Sequence, residues 1–445
     1  MQRSQLALGL LLTFGLTVRL VLAWSHPGDL LSDNDGYLAH AKPVAAGAGF
    51  NGPWSNRPTA FRPPGYPVLI GGLMACGLSD SAAVAIVSLV SCLVIILLTR
   101  TLALQFGIDQ RWSLLAVFGV AVDPLLLRYS ILPMTEVPCA AILLAAVVTF
   151  KAFLCSHEAR DRHSMWSGVL AGVLFGIGTL IRPVLLIVCG FLTVYAIGRK
   201  WKSNSTLTPL SASASKGLFR NVLPAILPAL VAGLVLCPWI IRNAVQFHRF
   251  IPATTHGGYT LALGNNSDFY RDVINGTDEF PWDGPALDAW QQRMIRESEA
   301  EGIIATNEPA ADAWYYSRAT AAIQADPQSF MKATVLRLRR FWAISTAAPS
   351  TGNSVSSRLI MVWYLVLWTG LIWQIIQACF GRNSTEPRSR VMLWLVILAF
   401  LVMHSAYWTD TRMRAPVMPI MIVISVAGWQ SVSTYFYGRA VAGKT

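Results

Sequence analysis

The stretch LLSDNDGYLAHAKPVAAGAGF, running from Leu30 to Phe50, places Asp33 and Asp35 in a short polar loop directly after an apolar run. A loop of this kind reads as chain leaving a membrane helix for water. Upstream, the apolar run over 5–24 follows Arg3 in the manner of a signal peptide. Arg19 interrupts that run, however, and Leu22-Ala23-Trp24 is no small-residue cleavage site, so a retained first helix is expected. Downstream lies FRPPGYP, from Phe61 to Pro67, and then a modestly apolar piece, Val68 to Leu78. That piece is too short to span a bilayer and is expected to lie along its interface.

The whole chain fits this reading. Its 445 residues are 54% hydrophobic and only 13% charged, which excludes an ordinary soluble enzyme. Apolar spans recur near 5–24, 81–105, 112–130, 134–154, 165–181, 183–198, 222–241, 357–379, 391–409 and 414–435. These predict an all-α polytopic membrane protein of roughly ten passes. The net charge of +12 is unevenly spread. Residues 242–356 hold 12 acidic and 10 basic side chains, and the remaining bases gather in short connections such as 199–221 and 380–390. That is the positive-inside signature, not a nucleic-acid patch. It places 25–80 and 242–356 on the opposite, extracytoplasmic side. The expected organisation is therefore a membrane module over 1–241 with the aspartate loop, a mixed, mainly helical extracytoplasmic domain over 242–356, and closing membrane helices over 357–445. The seven cysteines lie in or beside apolar spans without metal-ligand spacing, so neither a disulfide framework nor a zinc site is expected.

Single arginines stand at helix ends on the same side as the aspartates: Arg62, Arg128, Arg182, Arg242, Arg412 and Arg414. Cations are normally depleted there, and arginine's planar fork suits phosphate. Asp33 and Asp35, two apart, would diverge on a helix, and an aspartate ahead of GYLAHA is also a good helix cap. Arg182 before Pro183 would cost about 2.5–3.5 kcal/mol deep in a bilayer, which favours function over a bystander role. Arg19 reads as a snorkelling side chain. Glu136 suits a helix start as well as a site. His404 reads as a helix-helix contact, and His256 in its Gly-rich loop as a donor or acceptor contact.

Five segments resemble the GT-C glycosyltransferases. LSDNDGYLAHAKPVAAGAGF is similar to their first outer loop and FRPPGYPVL to a segment before the second helix. DPLLLRYSILPMTEVPCA (Asp123 to Ala140) resembles their second outer loop. PWIIRN (Pro238 to Asn243) with HGGYTLALGNN (His256 to Asn266) resembles the opening of the outer domain, and RMRAPVMP (Arg412 to Pro419) the start of the last helix. The relatives implied are the protein O-mannosyltransferase-like group and the lipid A aminoarabinose transferases. The resemblance implies a polyprenyl-phosphate-linked sugar as co-substrate and an inverting transfer to a glycan, lipid or protein at the outer face of the cell's inner membrane. It maps the catalytic aspartate onto Asp33, four residues before Tyr37. Many relatives carry a second acid directly after it, where this chain has Asn34 and then Asp35. That departure leaves the two aspartates' roles open and makes a divalent metal unfavoured. The candidate substrate-binding residues are Tyr37, Arg62, Tyr66, Arg128, Glu136, Arg182, Arg242, Asn243, His256, Tyr259, Asn265, Arg412 and Arg414. A transporter or flippase of a lipid-linked sugar is the rival reading. It would place polar residues at mid-membrane and show repeats, and the chain does neither.

Overall fold

A computed structural model describes residues 2–53, 55–158, 163–205, 224–276, 282, 284–304, 306–345, 355–380 and 390–442. Among these the regular structure is helical apart from one isolated bridge between Asn51 and Pro58. The helices are α1 (Gln2–Ser25), α2 (Tyr37–Ala45), α3 (Gly65–Ala75), α4 (Asp80–Gln105), α5 (Gln110–Val122), α6 (Pro124–Tyr129), α7 (Glu136–Glu158), α8 (His163–Ile181), α9 (Val184–Ser205) and α10 (Leu227–Phe247). There follow α11 (Gly257–Leu263), α12 (Gly284–Ala300), α13 (Glu308–Ala325), α14 (Pro327–Phe341), α15 (Val355–Phe380), α16 (Val391–Ala406) and α17 (Met418–Ala442). Short turns such as the 3₁₀ segment Thr411–Val417 lie between them.

Six of the described helices are long and apolar enough to cross a membrane, and α5, α8, α9 and α16 carry shorter apolar stretches. These ten account for the expected spans, so the chain is an all-α polytopic membrane protein. Helices apolar all round have no polar face to give to water; they bury against one another or face lipid. α7 does the former, packing on α4 and α8 with Val137, Leu143, Val147 and Phe150 buried. α1 does the latter, with Leu6, Leu10 and Trp24 well exposed.

Two expectations are corrected. The run 112–130 is not one helix, because α5 stops at Val122 and α6 restarts at Pro124. Proline lacks an N–H and pushes the residue before it out of the helical region, and Asp123 then caps the new helix through Leu126 N–H at 3.1 Å. Arg19 does not snorkel. It is 3% exposed and donates to Gly15 O, Val120 O and Ala121 O, closing the C-terminal carbonyls of α5. The basic loop 199–221 lies mostly, and 380–390 almost wholly, outside the described residues.

Within 242–356, the helices α11 to α14 gather around their own aromatic core of Phe269, Tyr270, Trp282, Trp290 and Trp314. α14 buries Ala333, Arg337 and Phe341 along one side and exposes Met331 and Val335 on the other. That amphipathic pattern suits a helix lying along an interface.

Candidate functional site

The aspartate loop is ordered by a reversal of the backbone at Gly36, whose φ of 75° is a conformation glycine adopts without strain. The reversal brings the preceding acid back over the start of α2. Asp33 Oδ1 accepts Leu38 N–H at 3.0 Å and Oδ2 accepts Ala39 N–H at 2.7 Å, so both its oxygens satisfy orphan donors of the first turn. Asp35 turns the other way. Its Oδ2 accepts from Arg412 Nη1 at 3.1 Å, and its Oδ1 lies 3.7 Å from Arg62 Nη2. Arg62 is in turn held over the rings of Tyr37 and Phe61, at 5.3 Å from each centroid. Arg412 has a second acid, Asp410, at 3.5 Å from its Nε.

A third arginine stands nearby. Arg182, at the break between α8 and α9, donates to Glu136 Oε1 at 2.6 Å and to Thr135 Oγ1 at 2.8 Å. Glu136 is fully buried at the start of α7, and its Oε2 has no hydrogen-bond partner. The loop carrying Arg62 can sit this close because of Gly65, where a Cβ would lie 2.8 Å from Leu180 O. The cavity is lined by Tyr37, Phe61, Arg62, Ile181, Arg182, Thr254, His256, Thr260, Met403, His404, Tyr407, Trp408 and Met413. Its lining is thus partly cationic and partly aromatic. The His256 ring packs on Phe61 at 4.3 Å and Tyr259 at 5.1 Å. Burial, then the nearby Arg62 and His40, hold its imidazole well below the usual histidine range, so it is neutral at pH 7.

The remaining sequence candidates lie elsewhere. Arg128 pairs with Asp29. Arg242 donates to Thr59 O and Phe50 O and so braces the 50–60 loop, while Asn243 is fully buried and donates to Ile251 O, just past the end of its own helix. Tyr66 is buried beneath Tyr37. Tyr259 backs His256 and accepts from Gln291. Asn265 is buried, tying α11 to Ala406 O, Arg337 and Tyr270. Arg414 does not join Arg412 beside Asp35. A 3₁₀ helix turns about 120° per residue, so residues two apart point apart. Arg414 is fully buried over Tyr364, donating to Phe341 O at 2.7 Å and to Ala343 O.

Glu308 was not legible from the sequence, where it opens an Ala-rich helical run. It accepts from Thr59 Oγ1 at 2.5 Å, Ala60 N–H at 2.8 Å and Thr255 Oγ1 at 2.9 Å, tying α13 to the loop that precedes Arg62. Glu308→Ala leaves those donors unpaired and is expected to cost about 1–3 kcal/mol in unfolding free energy, read by thermal unfolding in detergent. An unchanged midpoint would show that the three bonds add nothing.

The chain's architecture has known counterparts. It matches the archaeal oligosaccharyltransferase AglB of Archaeoglobus fulgidus, solved in complex with an inhibitory peptide and a dolichol-phosphate. The TM-score is 0.54 at 14% identity, over 99% of this chain and 52% of that one. The oligosaccharyltransferase of the same organism in complex with zinc and sulfate matches with a TM-score of 0.54 at 14% identity, over 97% of this chain and 50% of that one. In sequence, residues 61–240 match the family of dolichyl-phosphate-mannose-protein mannosyltransferases. The chain shares its fold with these archaeal oligosaccharyltransferases. The chain spans about half the length of the archaeal proteins it matches. No curated protein matches it significantly in sequence. Among the described residues no three His, Cys, Asp or Glu side chains converge as a metal-ligand set. The two loop aspartates are engaged instead by backbone N–H groups and by guanidinium groups.

Proposed function

We propose that this chain is a membrane glycosyltransferase that moves a sugar from a polyprenyl-phosphate donor to an extracytoplasmic acceptor, with inversion at the anomeric carbon. The observation that carries the reading is that Arg62 and Arg182 line one cavity, while Arg62 is joined to a third arginine, Arg412, through the loop carboxylate Asp35. The comparisons add support: one is with a family named for dolichyl-phosphate-mannose, the other with an oligosaccharyltransferase solved in complex with a dolichol-phosphate. A phosphate leaves as an anion and needs neutralising, not protonating. Arginine forks supply that, most strongly as charge develops on the departing oxygen. The acceptor's hydroxyl must lose a proton, and Asp35 is the carboxylate on the arginine side of the loop. Asp33 orders the loop through its two backbone bonds. Direct displacement by the acceptor from the face opposite the phosphate gives inversion. His256, neutral and held between rings, offers a hydrogen bond and an apolar wall beside Arg62.

The reading is tested with purified protein, polyprenyl-phosphate sugars and candidate lipid, glycan and peptide acceptors, scoring release of polyprenyl phosphate. Mass spectrometry of lipid-linked glycans and surface products in a deletion strain narrows the acceptor. No donor-dependent product with any acceptor would sink it. The proposed sidedness has its own check. Single cysteines placed in 25–80 and 242–356, in a background lacking the native ones, are expected to label with an impermeant thiol reagent in intact cells, and those in 199–221 to stay unlabelled. Labelling of 199–221 alone would turn the site toward the cytoplasm.

A further inference from the structure

Asp35 stands between two guanidinium groups at once, 3.1 Å from Arg412 and 3.7 Å from Arg62. Arg62 has no other ion pair among the described residues. These are two of the three arginines assigned above to the donor phosphate. A carboxylate and a phosphate compete for the same fork, because both present paired oxygens to it. A carboxylate oxygen engaged by a guanidinium N–H is also not presented to an incoming hydroxyl.

We propose that Asp35 is a placeholder anion: it occupies the arginine site until the donor's phosphate displaces it, and displacement frees it to take the acceptor's proton. The proposal rests on the donor reading above. Donor binding and the release of Asp35 from the two guanidinium groups are then coupled. With the phosphate seated, the acceptor's proton passes to an Asp35 oxygen. The acceptor oxygen's electron pair forms the bond to the anomeric carbon. The bond from that carbon to the phosphate oxygen breaks, its pair staying on the phosphate between Arg62 and Arg412. An acceptor or a water that arrives first meets a carboxylate already engaged.

The sign of one effect separates this role from a merely structural one. A short-chain polyprenyl phosphate is titrated into the purified full-length protein, its Asp35→Asn variant, and an Asp272→Asn control. Asp272 pairs with Arg271 at the protein surface, so the control removes one negative charge away from the cavity. Asp35→Asn is expected to bind the probe at least about threefold tighter, while transfer falls and the control binds as wild type. Unchanged or weaker binding by Asp35→Asn overturns the placeholder role, as does equal tightening in the control. If Asp35→Asn does not fold, Asp35→Ser is read by the same criterion. Failure of the wild-type protein itself to bind polyprenyl phosphate overturns the donor reading instead.

Discussion

Asp35→Asn is expected to lower the rate of sugar transfer at least about a hundredfold, the scale that a positioned general base contributes. The amide keeps the shape of the carboxylate and can still accept from Arg412, so the loop should stay in place while the proton acceptor is lost. Asp33→Asn is expected to behave differently. Asn caps helices nearly as well as Asp, so one of the two bonds to Leu38 and Ala39 survives and the loss is mainly in stability, about 1 kcal/mol or less. Initial rates at saturating donor, with thermal unfolding of the same preparations, separate the two. A dead Asp33→Asn beside an active Asp35→Asn would return the base to the position that sequence resemblance implies and leave Asp35 as an arginine holder only. Activity in both would remove the carboxylate mechanism altogether.

Glu136→Gln is expected to cost about 3–5 kcal/mol of stability, because it strands a guanidinium in a poorly hydrated place. Glu136 has a side chain 0% exposed and its partner Arg182 is 13% exposed, so water can compensate little of the lost charge. Removing both partners, as Glu136→Gln with Arg182→Met, should restore part of that loss, since no unpaired charge remains. The double variant carries a second message. If Arg182 serves only the pair, stability and transfer should recover together. If it also holds donor phosphate, the protein should fold and bind donor weakly. Unfolding midpoints and donor titrations on the three variants read both. Near-normal stability of Glu136→Gln would show that the pair is hydrated after all.

Much of the architecture was legible because hydrophobic length is a strong signal: the ten apolar runs correspond to ten helix positions. The break at Asp123 was missed because the apolar run continues through Pro124, and composition does not register a lost N–H. The cluster of arginines was legible only as a set of helix ends on one side. Which of them meet depends on rotation about short helices. The three-fold turn at 411–417 sends Arg412 to Asp35 and Arg414 into the core. Likewise Asp33 and Asp35 look equivalent in sequence, and one glycine at position 36 separates their surroundings. Arg128, Arg242, Asn243 and Asn265 share the chemistry of site residues, yet each has found a nearby carbonyl or carboxylate. Glu308 gave no signal because its partners are some 250 positions away in the loop before Arg62.

Arg414 has a mechanical consequence. Its guanidinium fastens the 411–417 turn to the last carbonyls of α14, and α14 is the helix that ends the 242–356 segment. Arg412 sits two residues along the same stiff turn. A tilt or slide of α14 would therefore be delivered to the anion-binding fork within one helical turn, with no long chain of intermediaries. The polar segment and the cavity behave as the two arms of a short lever with Arg414 as its pin.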